Sequence, residues 1–531
     1  MVKWLRRWRG TPPTLLFFAL LAGAGSLVPI VYLAIRAMSA DAQTVANLVF
    51  RARNFDLLVN TLAMTGGVLV MTTIIALPLA VLVARADLRF RSAITLLCVL
   101  PLAVPGYVMA YALIGLSGYQ GFLAQIFGFR IGRIEGYWGA VVALSLYTFP
   151  YLFLNLRSAL SQIDPAMEDV ARCLGYGPSK AFVKIVLPHL LPALLAGWLV
   201  IGLYALGDFG VVALMGYEVF SYAIFTQYSG AFDRIYAAWL SLMLLALTLS
   251  IVMFDGFVLG RTRFARVSKG APRRQKLFRL GMWAPFAYGY IGLVILASIG
   301  LPIMVLLFWM MRADTVSLIG DVFPVFMRSF GAAAPAAILA ALLAFPVAYL
   351  RVRYPTSLSR TIERFAYISY AAPPLTLGLA FVFLSLNLVP ALYQTLTMLV
   401  IAYAFSFMAL AIGPQRSALM QCSPNLEASA RVLGCGSGEA MRRVTLPMIR
   451  RGVLAGATLV FVLVMKELPI TFLLAPTGYT TLAISVFSRT SEGLLADAAP
   501  YALAIVLFSS LFIGLSLRAE GESAPKARKP A

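Results

Sequence analysis

About twelve apolar stretches, most of them long enough to cross a bilayer as a helix, follow one another along this chain with short polar breaks between them. The first runs over residues 14–35, and others fall at 57–84, 93–116, 138–156, 192–215 and 236–259. A second series covers 282–310, 325–350, 365–388, 392–413, 452–475 and 498–517. A chain of 531 residues that is 61% hydrophobic and only 12% charged is no ordinary soluble protein, and the membrane is its natural solvent. The pattern predicts an all-α membrane protein with about twelve transmembrane helices. Lys3, Arg6, Arg7 and Arg9 precede the first stretch, which at about 22 residues exceeds a signal-peptide core and reads as an uncleaved first helix. Pro78, Pro302 and Pro346 are expected kinks.

Positive charge orients the spans. Arg261, Arg263, Arg266, Lys269, Arg273, Arg274, Lys276 and Arg279 stand between the two series with no acid among them. This linker, residues 261–280, is expected in the cytoplasm against anionic lipid. Arg85, Arg89 and Arg91 fall on the same side, as do Arg351, Arg353, Arg360 and Arg364, and both chain termini follow. The net charge of +22 is therefore topology. Its dispersal over loops argues against a nucleic-acid partner.

Between the fourth and fifth spans of each series lies the same polar stretch. EDVARCLGYGPSKAFVKIVLP, Glu168 to Pro188, returns as EASARVLGCGSGEAMRRVTLP, Glu427 to Pro447, with nine of 21 positions identical and no gap. Asp164-Pro165 and Ser423-Pro424 supply an N-cap and a first-turn proline, and Gly175 and Gly434 can stop a short helix in the left-handed conformation. A second short helix, with Lys180 and Lys184 or Arg442 and Arg443, is expected to run to the Leu-Pro pairs Leu187-Pro188 and Leu446-Pro447. Ala171 and Ala430 keep one face small enough for close approach. Arg157-Ser158-Ala159-Leu160 also returns, at Arg416-Ser417-Ala418-Leu419, with the same offset of 259, while Pro78 and Pro105 return at Pro346 and Pro373 with an offset of 268. The expected organisation is two parallel six-helix repeats: 1–260 with its loop at 157–191, and 281–531 with its loop at 414–451. A pathway belongs at such a repeat interface.

At these loops the chain resembles the permease subunits of bacterial ABC importers, whose cytoplasmic loop carries glutamate, two alanines, a glycine four positions on and a distal leucine-proline. The resemblance implies the type I importer permease fold. It assigns ATPase coupling to Glu168, Asp169, Ala171, Gly175, Leu187, Pro188, Glu427, Ala430, Gly434, Leu446 and Pro447. Asp169 and Ala428 occupy the family's glutamate position, so the acid of each copy sits one residue early, at Glu168 and Glu427. YALGDFG from Tyr204 and the long stretch from Val464 look like the fused two-half permeases of ferric-iron importers. Two ATPase subunits, as a homodimer, and a periplasmic binding protein are the implied partners, in the bacterial inner membrane. Thiamine, phosphonate, polyamine and sulfate permeases share the fold and remain alternative substrates.

The residues supply little chemistry of their own. A GxxxxGK[ST] phosphate loop is absent, so energy must come from a partner, and no enzyme activity or cofactor is expected. His189 is the only histidine, and Cys98, Cys173, Cys422 and Cys435 show no metal-ligand spacing. Asp208 and Glu467 each lie twenty residues beyond the Leu-Pro proline, where a charge at mid-bilayer costs roughly 2.5–3.5 kcal/mol. Either they line or gate a pathway together with Lys466, or Lys466 neutralises Glu467 or both acids sit at the outer headgroups. An ion-coupled secondary transporter is the rival class, but the repeated polar loop is in the wrong place for it and no acid or histidine chain suggests a proton relay.

Overall fold

The computed structural model describes residues 13–39, 41–231, 233–261, 277–313 and 315–523. The basic opening residues and most of the basic linker, 262–276, lie outside the described residues. Among the described residues the chain is helical, with a single isolated bridge between Ala86 and Phe278. Ten helices are long and apolar enough to cross a membrane, and twelve result if each of two bent pairs counts as one span.

The bent pairs correct two expected straight spans. Arg91–Ala103 and Gly106–Leu116 meet at 92°, and Ser357–Ala371 and Pro374–Leu388 meet at 106°. The repeated prolines stand at the two breaks, Pro105 and Pro373 being the N-cap residues of the following helices. A proline pushes the residue before it out of helical geometry. Val104 and Ala372 accordingly have ψ of 112° and 138°. Pro78 and Pro346, by contrast, lie inside the continuous helices Ala52–Arg85 and Thr315–Arg353. Pro302 follows a π-helical turn, Leu296–Gly300, which relieves the clash its ring would otherwise make.

Packing divides the chain into two compact units that differ from the two sequence repeats. One unit contains residues 1–51, 224–245 and 320–485; the other contains 52–223, 246–319 and 486–531. In the first, helix Pro13–Ala37 lies against Ser357–Ala371 and Pro374–Leu388, and Leu396–Gln421 lies against Leu446–Met465. In the second, Gly136–Gln162 is the hub, touching Ala52–Arg85, Gly106–Leu116 and Leu187–Gly207. It is also the most buried of the ten spans.

Lipid tails are as apolar as leucine, so helices in a membrane gain mainly by close packing of small residues. Gly452 and Gly456 do this on helix Leu446–Met465. A Cβ at Gly456 would come within 2.9 Å of Ala411 Cα and 3.0 Å of its carbonyl oxygen, and one at Gly452 within 2.6 Å of Ala418 Cβ. Gly413, on the opposing helix, has nothing within 4 Å. Gly456→Leu is expected to cost about 1–3 kcal/mol by overpacking. The melting temperature in detergent should fall for Gly456→Leu and hold for Gly413→Ala; equal melting of the two variants would contradict this packing.

Candidate functional site

In the second copy of the repeated loop, Ser423 caps helix Pro424–Val432 by accepting a hydrogen bond from Asn425 N at 3.3 Å. The helix ends as sequence reasoning expects. Gly434 has φ of +90°, Cys435 N donates to Ala430 O at 3.0 Å, and Gly434 N donates to Arg431 O at 3.1 Å. This is a Schellman ending. The first copy repeats it after helix Pro165–Cys173, with Gly175 at φ +80° and Tyr176 N donating to Ala171 O at 3.0 Å.

The second short helix is not a free-standing piece. In each copy it enters a π-helical turn, Phe182–Val186 or Met441–Thr445, and continues directly into the membrane helix Leu187–Gly207 or Leu446–Met465. Pro188 and Pro447 cannot donate to the carbonyl four residues back, and the wider π turn accommodates that gap. The Leu-Pro pairs therefore sit inside a continuous rod rather than at a loop end.

Glu427 is buried, with 6% of its surface exposed. Its carboxylate accepts from Tyr349 OH at 2.9 Å, Thr445 OH at 3.0 Å, and Arg353 Nε and Nη2 at 3.1 and 3.0 Å. Arg353 Nη2 also donates to Cys422 O at 3.0 Å. Arg353 is the last residue of helix Thr315–Arg353, so one acid pins both the loop helix and the π turn to the end of a membrane helix. The base of the same loop is held separately, by Arg416 on Glu363 at 2.7 Å, with Arg351 on the other oxygen at 2.8 Å.

The paired acids occupy breaks in their membrane helices. Asp208 follows the end of Leu187–Gly207, and its Oδ1 accepts from Val211 N at 2.8 Å while Tyr147 OH donates to Oδ2 at 3.4 Å. Glu467 follows Leu446–Met465. Its Oε1 accepts from Ile470 N at 2.9 Å, and Oε2 accepts from Thr471 N at 3.0 Å and Thr471 OH at 2.8 Å. Each acid caps the short helix that follows it, Gly210–Leu214 or Pro469–Leu474. Lys466 is half-buried at the C-cap of the helix before the break.

The sequence model for binding-protein-dependent transport system inner membrane components matches residues 76–260 and matches again at residues 340–519. The chain belongs to that family. This permease is 31% identical over 511 residues to an Fe(3+)-transport system permease protein, FbpB 2, of Haemophilus influenzae, covering 95% of this chain and 97% of the relative. It is 24% identical over 487 residues to the ferric transport system permease protein FbpB of Actinobacillus pleuropneumoniae, covering 86% and 71%. A molybdenum transport system permease protein, ModB of Escherichia coli, matches over 113 residues at 34% identity, 21% of this chain and 49% of that one. Family membership makes the chain a multi-pass inner-membrane transport component that works with a binding protein and a separate energy source.

Within this permease, the residues singled out for close approach to a partner point inward. Ala171 and Ala430 are 0% and 9% exposed, and Glu427 is committed internally; the side chains of Glu168 and Asp169 lie outside the described residues. Leu187, Pro188, Leu446 and Pro447 are exposed within the rods. The outward apolar residues are ones that sequence reasoning passed over. Leu174 and Leu433, equivalent at the offset of 259, are 70% and 84% exposed, beside Val170 at 58% and Val432 at 87%. A leucine next to the turn glycine in both copies was the available signal.

Proposed function

We propose that this permease is the membrane subunit of an ATP-driven importer of ferric iron, receiving the ion from a periplasmic binding protein. The observation that carries this reading is the end-to-end match to a ferric permease, both family segments included. Two ATPase subunits, alike, dock on the two repeated loops, one on each. The outward residues Val170, Leu174, Val432 and Leu433 form the contact, the buried Ala171, Glu427 and Ala430 shape the loop beneath it, and Gly175 and Gly434 make its turns. Glu168 and Asp169 belong to the first docking loop. Closure of the ATPases pushes the loops, and the continuous rods that contain Leu187-Pro188 and Leu446-Pro447 carry that push into the membrane. The repeats 1–260 and 281–531 rock about the pathway, and the breaks at Asp208 and at Lys466-Glu467 give it a place to open. Both termini and the linker 261–280 lie in the cytoplasm, in keeping with the lysine and arginine bias.

Coexpression with a candidate ATPase and a candidate binding protein from the same genome, followed by reconstitution into vesicles, tests this. ATP-dependent accumulation of radioactive iron is expected from iron-loaded binding protein. Leu174→Glu with Leu433→Glu should reduce ATPase co-purification at least tenfold while leaving the permease in the membrane. Equal filling without nucleotide would overturn the ATP-driven reading, and a binding protein that carries molybdate or sulfate instead would correct the substrate.

A further inference from the structure

The two repeats keep their loops and paired acids in register, but they part company at one polar cluster. Tyr147, Tyr151, Tyr204 and Asp208 correspond at the offset of 259 to Ser406, Leu410, Leu463 and Glu467. Leucine is the inexpensive residue within a membrane, and the second repeat uses it twice where the first has phenols. Tyr147 and Tyr151 lie one turn apart and straddle the midpoint of the 27-residue helix Gly136–Gln162. Tyr204 stands in the last turn of helix Leu187–Gly207, one turn before Asp208. The facing helices therefore present two oxygen pairs, one above the other.

The lower pair is Tyr151 OH and Tyr204 OH, 3.1 Å apart, with their rings stacked at 5.1 Å and 20°. The upper pair is Tyr147 OH and Asp208 Oδ2, 3.4 Å apart. Two ligand oxygens on one edge of an octahedron with bonds of about 2.0 Å stand roughly 2.8 Å apart, so the lower pair is about 0.3 Å and the upper pair about 0.6 Å wider than a chelating edge. Gly106 packs closely against the upper pair, where a Cβ would fall 2.8 Å from the Tyr147 ring and 3.1 Å from Asp208 Oδ2. Tyr151, Tyr204 and Asp208 are half-buried, and Tyr147 is buried. Buried phenols do need hydrogen-bond partners, and pairing them with each other is one solution. The leucines of the other repeat show that the fold does not require phenols here.

We propose that these four residues of the first repeat form two successive oxygen-pair stations for a ferric ion on its way through the membrane, an inference that rests on the ferric reading above. Carboxylate and phenolate are hard oxygen donors suited to a small, highly charged cation. Each phenol releases its proton to accompanying water as its oxygen binds the ion. Two oxygens per station, with water completing the shell, hold the ion firmly enough to admit it and loosely enough to pass it on.

The test uses the reconstituted complex with iron-loaded binding protein. Tyr151→Phe with Tyr204→Phe keeps the stacked rings and removes both lower oxygens; iron imported per ATP hydrolysed should fall at least tenfold. Independently of any variant, wild-type permease in detergent titrated with ferric nitrilotriacetate should develop the visible absorption of tyrosinate bound to ferric iron, and the double variant should lose most of it. Wild-type vesicles that fill while the double variant fills within twofold of them would overturn the stations alone, as would a colourless titration of wild-type permease. Wild-type vesicles that take up no iron would overturn the ferric reading itself.

Discussion

Arg353→Ala is expected to give one of the largest losses of stability of any single substitution in the loop region. The variant leaves the Glu427 carboxylate in a site where each side chain of the pair is only 8% exposed, and it strips Cys422 O of its donor. Breaking one side of a buried ion pair costs about 3–5 kcal/mol, because the remaining charge is neither solvated nor paired. Glu427→Gln should be similarly damaging, since it leaves the arginine without its countercharge. Arg353→Lys should recover only part, because an ammonium cannot copy the planar fork that reaches Glu427 and Cys422 O together. Replacing both partners, as Arg353→Met with Glu427→Met, should return most of the stability, since a paired apolar replacement leaves no stranded charge. Melting in detergent reads all four, and proteolysis within 414–451 should rise in the single variants. Wild-type melting of both Arg353→Ala and Glu427→Gln would show that the pair pins nothing. On the docking proposed above, the expected functional companion is idle hydrolysis, because a push received at Leu433 would be lost in a loop no longer fixed to helix Thr315–Arg353.

The same arrangement has a counterpart at the sequence level. Arg85 ends helix Ala52–Arg85 as Arg353 ends Thr315–Arg353, at the offset of 268, and Glu168 matches Glu427 at 259. Neither correspondence could say that arginine and acid meet, because in the second repeat they are 74 residues apart in the chain. The existence of the loops, their glycine turns and the paired acids was legible, since each rests on local spacing that occurs twice. The direction each loop side chain faces was not: neither the burial of Glu427 and Ala430 nor the exposure of Leu174 and Leu433 could be read from spacing. The number of spans was legible from apolar length alone. The two bends were not, because Pro105 and Pro373 look like Pro78 and Pro346 in sequence, yet the first pair breaks its spans and the second is absorbed by long helices. Where the fifth helix of each repeat stops was partly written in the sequence. Pro469 two residues after Glu467 is a helix-start signal, and it would have marked Glu467 as a cap.

Glu467→Ala and Glu467→Gln are expected to separate, and their difference decides what the buried acid does. Alanine leaves Ile470 N and Thr471 N without the acceptors they now have and removes one acceptor of the Thr471 hydroxyl, which also bonds Glu467 O and Tyr403 OH. Each stranded backbone N–H in a site closed to water costs about 1–3 kcal/mol, so the loss should be about 2–6 kcal/mol and should appear as lower melting and poor membrane yield. Glutamine keeps one carbonyl oxygen at nearly the same place. It can still accept from one or both N–H groups, so most of that stability should remain. If the carboxylate acts by its charge on a passing cation, glutamine should fail in uptake as badly as alanine while melting normally. If it acts as a helix cap, glutamine should import at no less than about half the wild-type rate, and only alanine should fail, in folding and uptake together. The geometry favours the second outcome, because both oxygens already face the helix they cap.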